Sequence, residues 1–555
     1  MLPTISIIGL TLGTALQGGG EAEVLHRFDG SVASERLGEA LSIGGDINAD
    51  GTPDILVGAD FADAAGFARA GLVMVYSGVD SSLLYQFTGS ADFENFGTAL
   101  VSIGDINGDG FDDILIGSPG ADPALLSSAG EIDIFSGSDG SSLLHLDGTT
   151  ANALFGSDVA ALGDINADGI PDYAVSEVGR NSDAGRVYVY SGLTANVLFQ
   201  IDGSIGAALG TAISPAGDID GDGTPDFLVG SPFADTGGRS DNGIVQIFSG
   251  LTGVEILILE GPSSLDYFGS SVSGNQFIDA DTTPEFIIGS PNRDPGGAPG
   301  AGSATVFDGA TTSVLYQVNG IALADNLGNS VALAGDVNGD GFGDFIVGAR
   351  LLDAGGLFDA GSVFVFSGLD GSLLLRVDGS NTQDNLGDTV VGGVDINGDG
   401  FAEIAYSAPF DDSTAVLSGA VEVQRLVPIL DISQETVSDA VGGVITFNLD
   451  FPLTQAGSNY VLLASAAGKG PTFVAGISIP LTIDVIFNLM LAGGPPLFSG
   501  SSGMLDAAGD ASSILTLAPG NAASLVGLKL EFAAVSHLAG VPAAASNARQ
   551  LVILP

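Results

Sequence analysis

The sequence predicts an all-β chain: a seven-bladed β-propeller closed by an N-terminal strand, followed by a C-terminal β-sandwich. Three observations predict it. An acidic, glycine-containing stretch recurs seven times, starting at positions 46, 105, 164, 218, 277, 336 and 395, with a step of 59 residues in every case but one. A period in this range marks a propeller, solenoid or array. Each repeat also carries four short apolar runs bounded by Gly, Pro and Asp, the pattern of antiparallel strands joined by tight turns. Four strands make one propeller blade. Finally, the two ends are complementary. The seventh repeat stops after its third strand, Ala420–Leu426, and a spare fourth strand, Val24–Gly30, precedes the first repeat. Pairing them closes a ring and removes two open sheet edges.

The chain begins with an apolar stretch, Met1–Leu16, in which Gly13 and Ala15 are small residues of the kind that flank a cleavage site. Residues 1–22 are therefore read as a signal peptide. Residues 23–427 are assigned to the propeller. In the second repeat its strands are expected at Thr98–Ile103, Ile114–Ile116, Gly130–Gly137 and Leu143–Leu146. After Val427 the acidic stretches stop, and alternating runs such as Val444–Leu449, Tyr460–Ala464 and Val526–Ala533 predict a sandwich over 428–555. The longest apolar candidate for a membrane span, Ile477–Ala492, contains Pro480, Asp484 and Asn488 and reads as strands.

Charge and composition exclude several function classes. With 67 acids against 13 bases the net charge is −54, which repels nucleic acid and anionic membrane. The absence of cysteine removes disulfides, thiolate catalysis and zinc–thiolate sites. Of the three histidines, His26 and His145 fall in fourth strands and His537 has no partner motif, so no catalytic residue and no organic cofactor site is assigned. The glycine-rich segments lack the following Lys-Ser/Thr of a phosphate-binding loop.

The repeated stretch itself points to a cation. In Gly104–Gly117 the oxygen-bearing side chains Asp105, Asn107, Asp109 and Asp113 occupy positions 1, 3, 5 and 9 of a tight turn. The matching sets are Asp46, Asn48, Asp50, Asp54; Asp164, Asn166, Asp168, Asp172; Asp218, Asp220, Asp222, Asp226; Asp336, Asn338, Asp340, Asp344; and Asp395, Asn397, Asp399, Glu403. Calcium takes 6–8 oxygen ligands, and alternate side chains of a turn can point several at one centre. Position 6 is glycine in all six, which permits a left-handed bend. Asp, Asn and Gly also favour turns without any ion. Three or four acids crowded in six copies, however, would repel one another without a cation. An EF-hand would need a bidentate Glu at position 12; here that position is Val57, Ile116, Val175, Val229, Val347 or Tyr406. About six calcium sites are therefore expected, in hairpin loops between strands. The fifth copy, Phe277, Asp279, Asp281, Glu285, lacks the first acid and the glycine and is expected to be empty or weak.

These residues resemble FG-GAP repeats, the blades of integrin α-subunit propellers and of many bacterial secreted proteins. The Phe-Gly element appears as Phe96-Gly97, Phe155-Gly156 and Phe268-Gly269, with Leu-Gly at 37, 209, 327 and 386. The second element appears as Gly117-Ser118-Pro119, Gly230-Ser231-Pro232, Gly289-Ser290-Pro291 and Ser407-Ala408-Pro409, and departs at Gly58-Ala59-Asp60, Ser176-Glu177-Val178 and Gly348-Ala349-Arg350. The resemblance implies calcium loops on one propeller face and a role in adhesion or recognition. The function expected is a secreted or cell-surface calcium-binding module for an extracellular protein or glycan. Two alternatives stay open: a carbohydrate-active lyase or hydrolase on the same scaffold, and a structural surface or matrix component.

Overall fold

The computed structural model describes residues 4–6, 22–279 and 281–426, and twelve separate strands beyond Leu426. From Ala22 to Leu426 the chain is a ring of seven four-stranded antiparallel blades. Blade 2 is typical: Ala99–Gly104 innermost, then Asp113–Ser118, Glu131–Phe135 and Ser142–Asp147 at the rim. Among the described residues, helical structure is confined to single turns such as Pro123–Leu125 and Arg180–Asp183.

The ring closes as the sequence predicts. Ala22–Asp29 lies antiparallel to Ala420–Leu426, with Ala22 opposite Leu426 and Asp29 opposite Ala420, and supplies the fourth strand of blade 7. The packing gives independent proof. Among the described residues there are seven apolar clusters, each between two successive blades. An open array of seven blades would have six. The seventh cluster joins Phe28, Ala405, Val421 and Val423 of blade 7 to Leu41, Ile55 and Val57 of blade 1.

Strand composition follows from this layering. The second strand of each blade is covered on both faces by the neighbouring blades, so all its residues are buried, as in Asp113–Ser118 and Glu403–Ala408. It therefore reads as a continuous apolar run rather than an alternating one. The rim strands of blades 1 to 4 mix exposed and half-buried residues, as in Val197–Asp202.

The Phe-Gly and Gly-Ser-Pro elements meet between blades. A Cβ on Gly117 would lie 2.1 Å from the carbonyl oxygen of Gly156, the glycine of the next blade's Phe-Gly pair. Gly58 stands the same way against Gly97, and Gly289 against Gly328. The side chains of Phe96 and Phe155 are buried in the clusters on either side of blade 2. The two motifs are thus halves of one inter-blade contact, repeated around the ring.

Strand Thr4–Ser6 pairs parallel with Val314–Asn319 of blade 5. The rest of the signal-peptide expectation for residues 1–22, apart from Ala22, lies outside the described residues. Beyond Leu426, Gly443–Asp450 pairs with Asp510–Leu517, and Asn459–Ser465 with Lys529–Leu538. The packing of these strands into the expected sandwich lies outside the described residues.

Candidate metal centres

Antiparallel blades put the first-to-second and third-to-fourth connections on one face of the ring. The other two connections of each blade emerge on the opposite face. All six intact acidic loops are first-to-second connections, so they share one face.

Each loop is ordered by its own carboxylates. In blade 2, Asp105 Oδ1 accepts from the Asp109 N–H (3.1 Å) and Oδ2 from the Gly110 N–H (2.8 Å). Asn107 Oδ1 also accepts from Asp109 N–H, and Asp109 Oδ1 from Phe111 N–H. The bond from the position-six glycine to the position-one carboxylate recurs in all six loops, at 2.7–2.9 Å. That geometry needs a left-handed glycine: φ lies between 88° and 91° at Gly51, Gly110, Gly169, Gly223, Gly341 and Gly400. Position 4 is left-handed as well, as glycine in four loops and as Ala49 and Ala167 in two. The sequence reading missed this second bend, although glycine in four of six copies signals it.

The acid at position nine differs from the others. It opens the second strand in blades 2, 3, 4 and 6 and immediately precedes it in blade 1, and Asp54, Asp113, Asp172, Asp226 and Asp344 are all buried. In blade 2 its Oδ2 accepts from Ile106 N–H in the loop and its Oδ1 from Gly137 N–H past the third strand. The same two-ended bond recurs in blades 1, 3, 4 and 6. This carboxylate staples loop, second strand and third strand together, in addition to its expected place as a ligand.

Two intact loops bring three carboxylate oxygens within 4.8 Å of one another: Asp218, Asp220, Asp226 in blade 4 and Asp395, Asp399, Glu403 in blade 7. The loop acids of blades 1 to 3 form no such tight group among the described residues, although Glu131, Asp133 and His145 on the outer strands of blade 2 do. Asn48, Asn107 and Asn166 stand where blade 4 has Asp220, but so does Asn397 in blade 7, where the longer Glu403 completes the group. The donor set throughout is hard oxygen, carboxylate and amide, which fits calcium rather than a soft metal.

A second ligand-level feature lies one strand away. The residue just after the third strand is Ser77, Ser136, Ser191, Ser249 and Ser367 in five blades. In blades 2, 3 and 6 its hydroxyl donates to the position-five carboxylate at 3.2–3.3 Å. Blade 7 has Arg425 in this column, and its guanidinium lies 3.0 Å from Asp399 Oδ2 and 2.6 Å from Glu23 Oε2. The seventh loop therefore carries part of its own counter-charge.

The buried acids set the pH response. Burial lifts the Asp54 and Asp113 carboxyls to about 6, and that of Glu403 to about 7, against the pull of the backbone N–H donors. In the unfolded chain such groups titrate near their ordinary values. Between about pH 4 and 7 the calcium-free folded protein thus binds more protons than the unfolded one, and its stability falls as pH rises. Denaturant unfolding in chelator should show greater stability at pH 5 than at pH 7. The stability added by calcium should shrink over the same fall in pH, because a protonated carboxyl is a poor ligand. A calcium-free protein less stable at pH 5 than at pH 7 would contradict this assignment.

The histidines hold structural places. His26 Nδ1 lies 2.5 Å from Ser81 Oγ in the blade 1 hairpin, latching the closing strand to its neighbour. Tyr85 and Tyr316 occupy the same column and donate to Gly137 O and Gly368 O of the next blades, both at 2.7 Å. His145, on the exposed side of its strand, pairs with Asp133 (2.8 Å) and Asp147 (3.1 Å). The side chain of His537 lies outside the described residues.

The opposite face carries a set of acids that the sequence reading did not single out. Glu35, Glu94, Asp266, Asp325 and Asp384 are all buried, two residues before the Phe-Gly or Leu-Gly pair. Each accepts backbone N–H bonds from the turn before it, as Glu94 does from Ser90 (2.7 Å) and Ala91 (2.8 Å). Their signal was the fixed offset from those pairs in five of seven repeats.

Comparison with known proteins agrees with this architecture. The FG-GAP repeat family profile matches residues 37–76, 96–135, 209–248, 327–366 and 386–422, which are blades 1, 2, 4, 6 and 7. Integrin alpha-V of Gallus gallus is 32% identical over 251 residues, covering 39% of this chain and 24% of the integrin. Integrin alpha-5 of Xenopus laevis is 30% identical over 209 residues, covering 35% of this chain and 19% of that one. Phosphatidylinositol-glycan-specific phospholipase D of Bos taurus is 26% identical over 474 residues, covering 72% of this chain and 55% of the enzyme. The chain thus spans from about a fifth to about half of the length of these relatives. A solved structure titled "Structure of Dos1 propeller" aligns over 67% of this chain and 74% of its own, at 11% identity and a TM-score of 0.37, too low a likeness to carry an argument. The repeats, the seven closed blades and the integrin relatives together make residues 22–426 an FG-GAP repeat propeller of the integrin-α-like kind.

Proposed function

We propose that this chain is a secreted or cell-surface recognition module, stabilised by calcium in its hairpin loops, that docks an extracellular protein or glycan on the face opposite those loops. The observation that carries the reading is the division of labour between the two faces. The acidic loops share one face. The other exposes apolar side chains around the ring, among them Val32, Phe93, Leu125, Ile205, Leu323 and Phe358, while those exposed on the loop face, such as Val79 and Leu251, sit beside its acids. It also holds six of the thirteen basic residues, Arg36, Arg69, Arg180, Arg239, Arg293 and Arg350. Arg36 stacks 3.8 Å from the Phe61 ring and 4.6 Å from that of Phe410, and Arg69 also lies 3.8 Å from the Phe61 ring. Exposed aromatics with arginine are what interfaces are enriched in. The weak calcium affinity expected of extracellular modules, with Kd about 10⁻⁴–10⁻³ M, suits a calcium-rich exterior.

The test is a binding array of glycans and surface proteins, run in calcium and in chelator. A ligand captured in calcium should be lost on Phe93→Asp and Leu125→Asp, with calcium binding unchanged. Capture lost instead through substitutions on the loop face alone would overturn the reading.

A second reading, an enzyme acting on a glycan-bearing substrate, is favoured by the alignment with phosphatidylinositol-glycan-specific phospholipase D over 72% of this chain. Turnover of a polysaccharide or glycolipid, abolished by one acidic substitution outside the loops, would establish it over the first.

A further inference from the structure

Blade 5 differs from the other six at its rim. Among the described residues it alone has a fifth strand. That strand is Thr4–Ser6, laid parallel to Val314–Asn319, with Thr4 opposite Gln317, Ile5 opposite Val318 and Ser6 opposite Asn319.

The rim it sits on lacks the usual protection. An open edge strand invites pairing with another chain, and charged side chains on it are the common defence. The rim strands of blades 2, 3, 4, 6 and 7 all end in an acid: Asp147, Asp202, Glu260, Asp378 and Asp29. Blade 5 reads Val-Leu-Tyr-Gln-Val-Asn, with no charge and with Asn319 in the acid's place. Leu83–Thr88 of blade 1 is uncharged too, but no described strand is added to it.

The independent observation is Asn319 itself. The five matching acids and Thr88 are exposed. Asn319 is only 8% exposed, and Val318 before it is fully buried. The Asn319 Oδ1 accepts a hydrogen bond from no described residue. A buried amide oxygen without a donor is costly, and an aligned N–H recovers the cost. An added strand is the neighbour that brings such donors to an edge.

We propose that the rim of blade 5 is a strand-addition site for an extended, uncharged segment of a partner protein, held in cis by Thr4–Ser6 and filled by the partner when it displaces that strand. Main-chain hydrogen bonds supply the affinity in this mode, and alternate side chains of the added strand supply the selectivity. β-Branched residues suit such a strand, and Thr4-Ile5-Ser6 is what the edge already accepts. Identical edges of two copies, joined about a two-fold axis, would run antiparallel; the seated strand is parallel, as a separate segment can be. If residues 1–22 are removed as a signal peptide, the edge stands open in the secreted chain. The site lies on the rim rather than on either face, and it depends on neither the calcium reading nor the docking-face reading.

The probe is a fluorescent synthetic peptide with the sequence of residues 4–9, carrying a polyethylene glycol tail for solubility. Its binding to the full chain is read by anisotropy for the parent, Ile5→Pro, and Ile5→Pro with Asn319→Asp. Proline cannot donate to a ladder, so Ile5→Pro releases the cis strand. Aspartate stands at the matching position in four blades, so Asn319→Asp restores the edge charge in a side chain that this position accommodates. The peptide should bind Ile5→Pro about tenfold more tightly than the parent, whose edge is already occupied. Adding Asn319→Asp should abolish that binding. Amides of Val314–Asn319 should exchange about tenfold faster in Ile5→Pro than in the parent, and the peptide should slow them again. No binding to Ile5→Pro, or equal binding with and without Asn319→Asp, overturns the site. Self-association of Ile5→Pro that the peptide fails to reverse makes the edge a contact between copies and overturns the assigned occupant.

Discussion

Deleting Ala22–Asp29 should abolish the monomeric folded propeller. Without that strand blade 7 has three strands, and Ala420–Leu426 becomes an open edge. The seventh inter-blade cluster loses Phe28, and the hydrogen bond between His26 and Ser81 goes with the strand. An exposed apolar edge pairs with other chains, so the expected product is aggregate by size-exclusion chromatography, with no cooperative melting by circular dichroism. A graded version is Phe28→Ala. Phe28 is 6% exposed, and its ring stacks on Tyr76 of blade 1 with centroids 4.1 Å apart. Truncating such a buried aromatic costs about 3–5 kcal/mol. A deletion variant that stayed monomeric and melted at the parent temperature would mean that the ring does not depend on this strand.

The repeats made this closure legible before any coordinates. A truncated seventh repeat and a spare strand ahead of the first are features of order along the chain, and order is what a sequence records directly. The acidic loops were legible for the same reason, since all their side chains lie within nine residues. What stayed hidden depends on register between strands. Asp113 reaches Gly137, 24 residues on, only because the second and third strands pair with Ile114 opposite Phe135. The column holding Ser136 and Arg425 comes into contact with the loops through the same pairing. In the sequence Arg425 looked like an ordinary strand-end residue. The turn-capping acids Glu35 and Glu94 were missed for another reason. They sit among surface acids in a strongly acidic chain, and only their burial separates them.

Removing calcium should have the second large effect, because the loops lie where the strands begin. Each intact loop crowds its acids beside a buried position-nine carboxylate, and Asp50, Asp105 with Asp109, and Asp168 each disfavour the charged form of that neighbour. A bound dication relieves this repulsion in the folded state alone. A ligand that binds only the folded state stabilises it by RT ln(1 + [L]/Kd). With Kd of about 10⁻⁴–10⁻³ M, 10 mM calcium contributes about 1.4–2.7 kcal/mol per site. Over six sites that is roughly 8–16 kcal/mol, and for a ring of this size it raises the melting midpoint by roughly 10 °C or more.

The most direct measurement is therefore a calorimetric melt of the full chain at pH 7, in chelator and across a series of free calcium concentrations. The loops as calcium sites require a midpoint that climbs steadily with free calcium. They also require magnesium at the same ionic strength to raise it much less, since magnesium demands a tighter octahedral shell and dehydrates reluctantly. A midpoint that stays where the chelator leaves it, across the whole calcium series, would contradict the assignment of these loops.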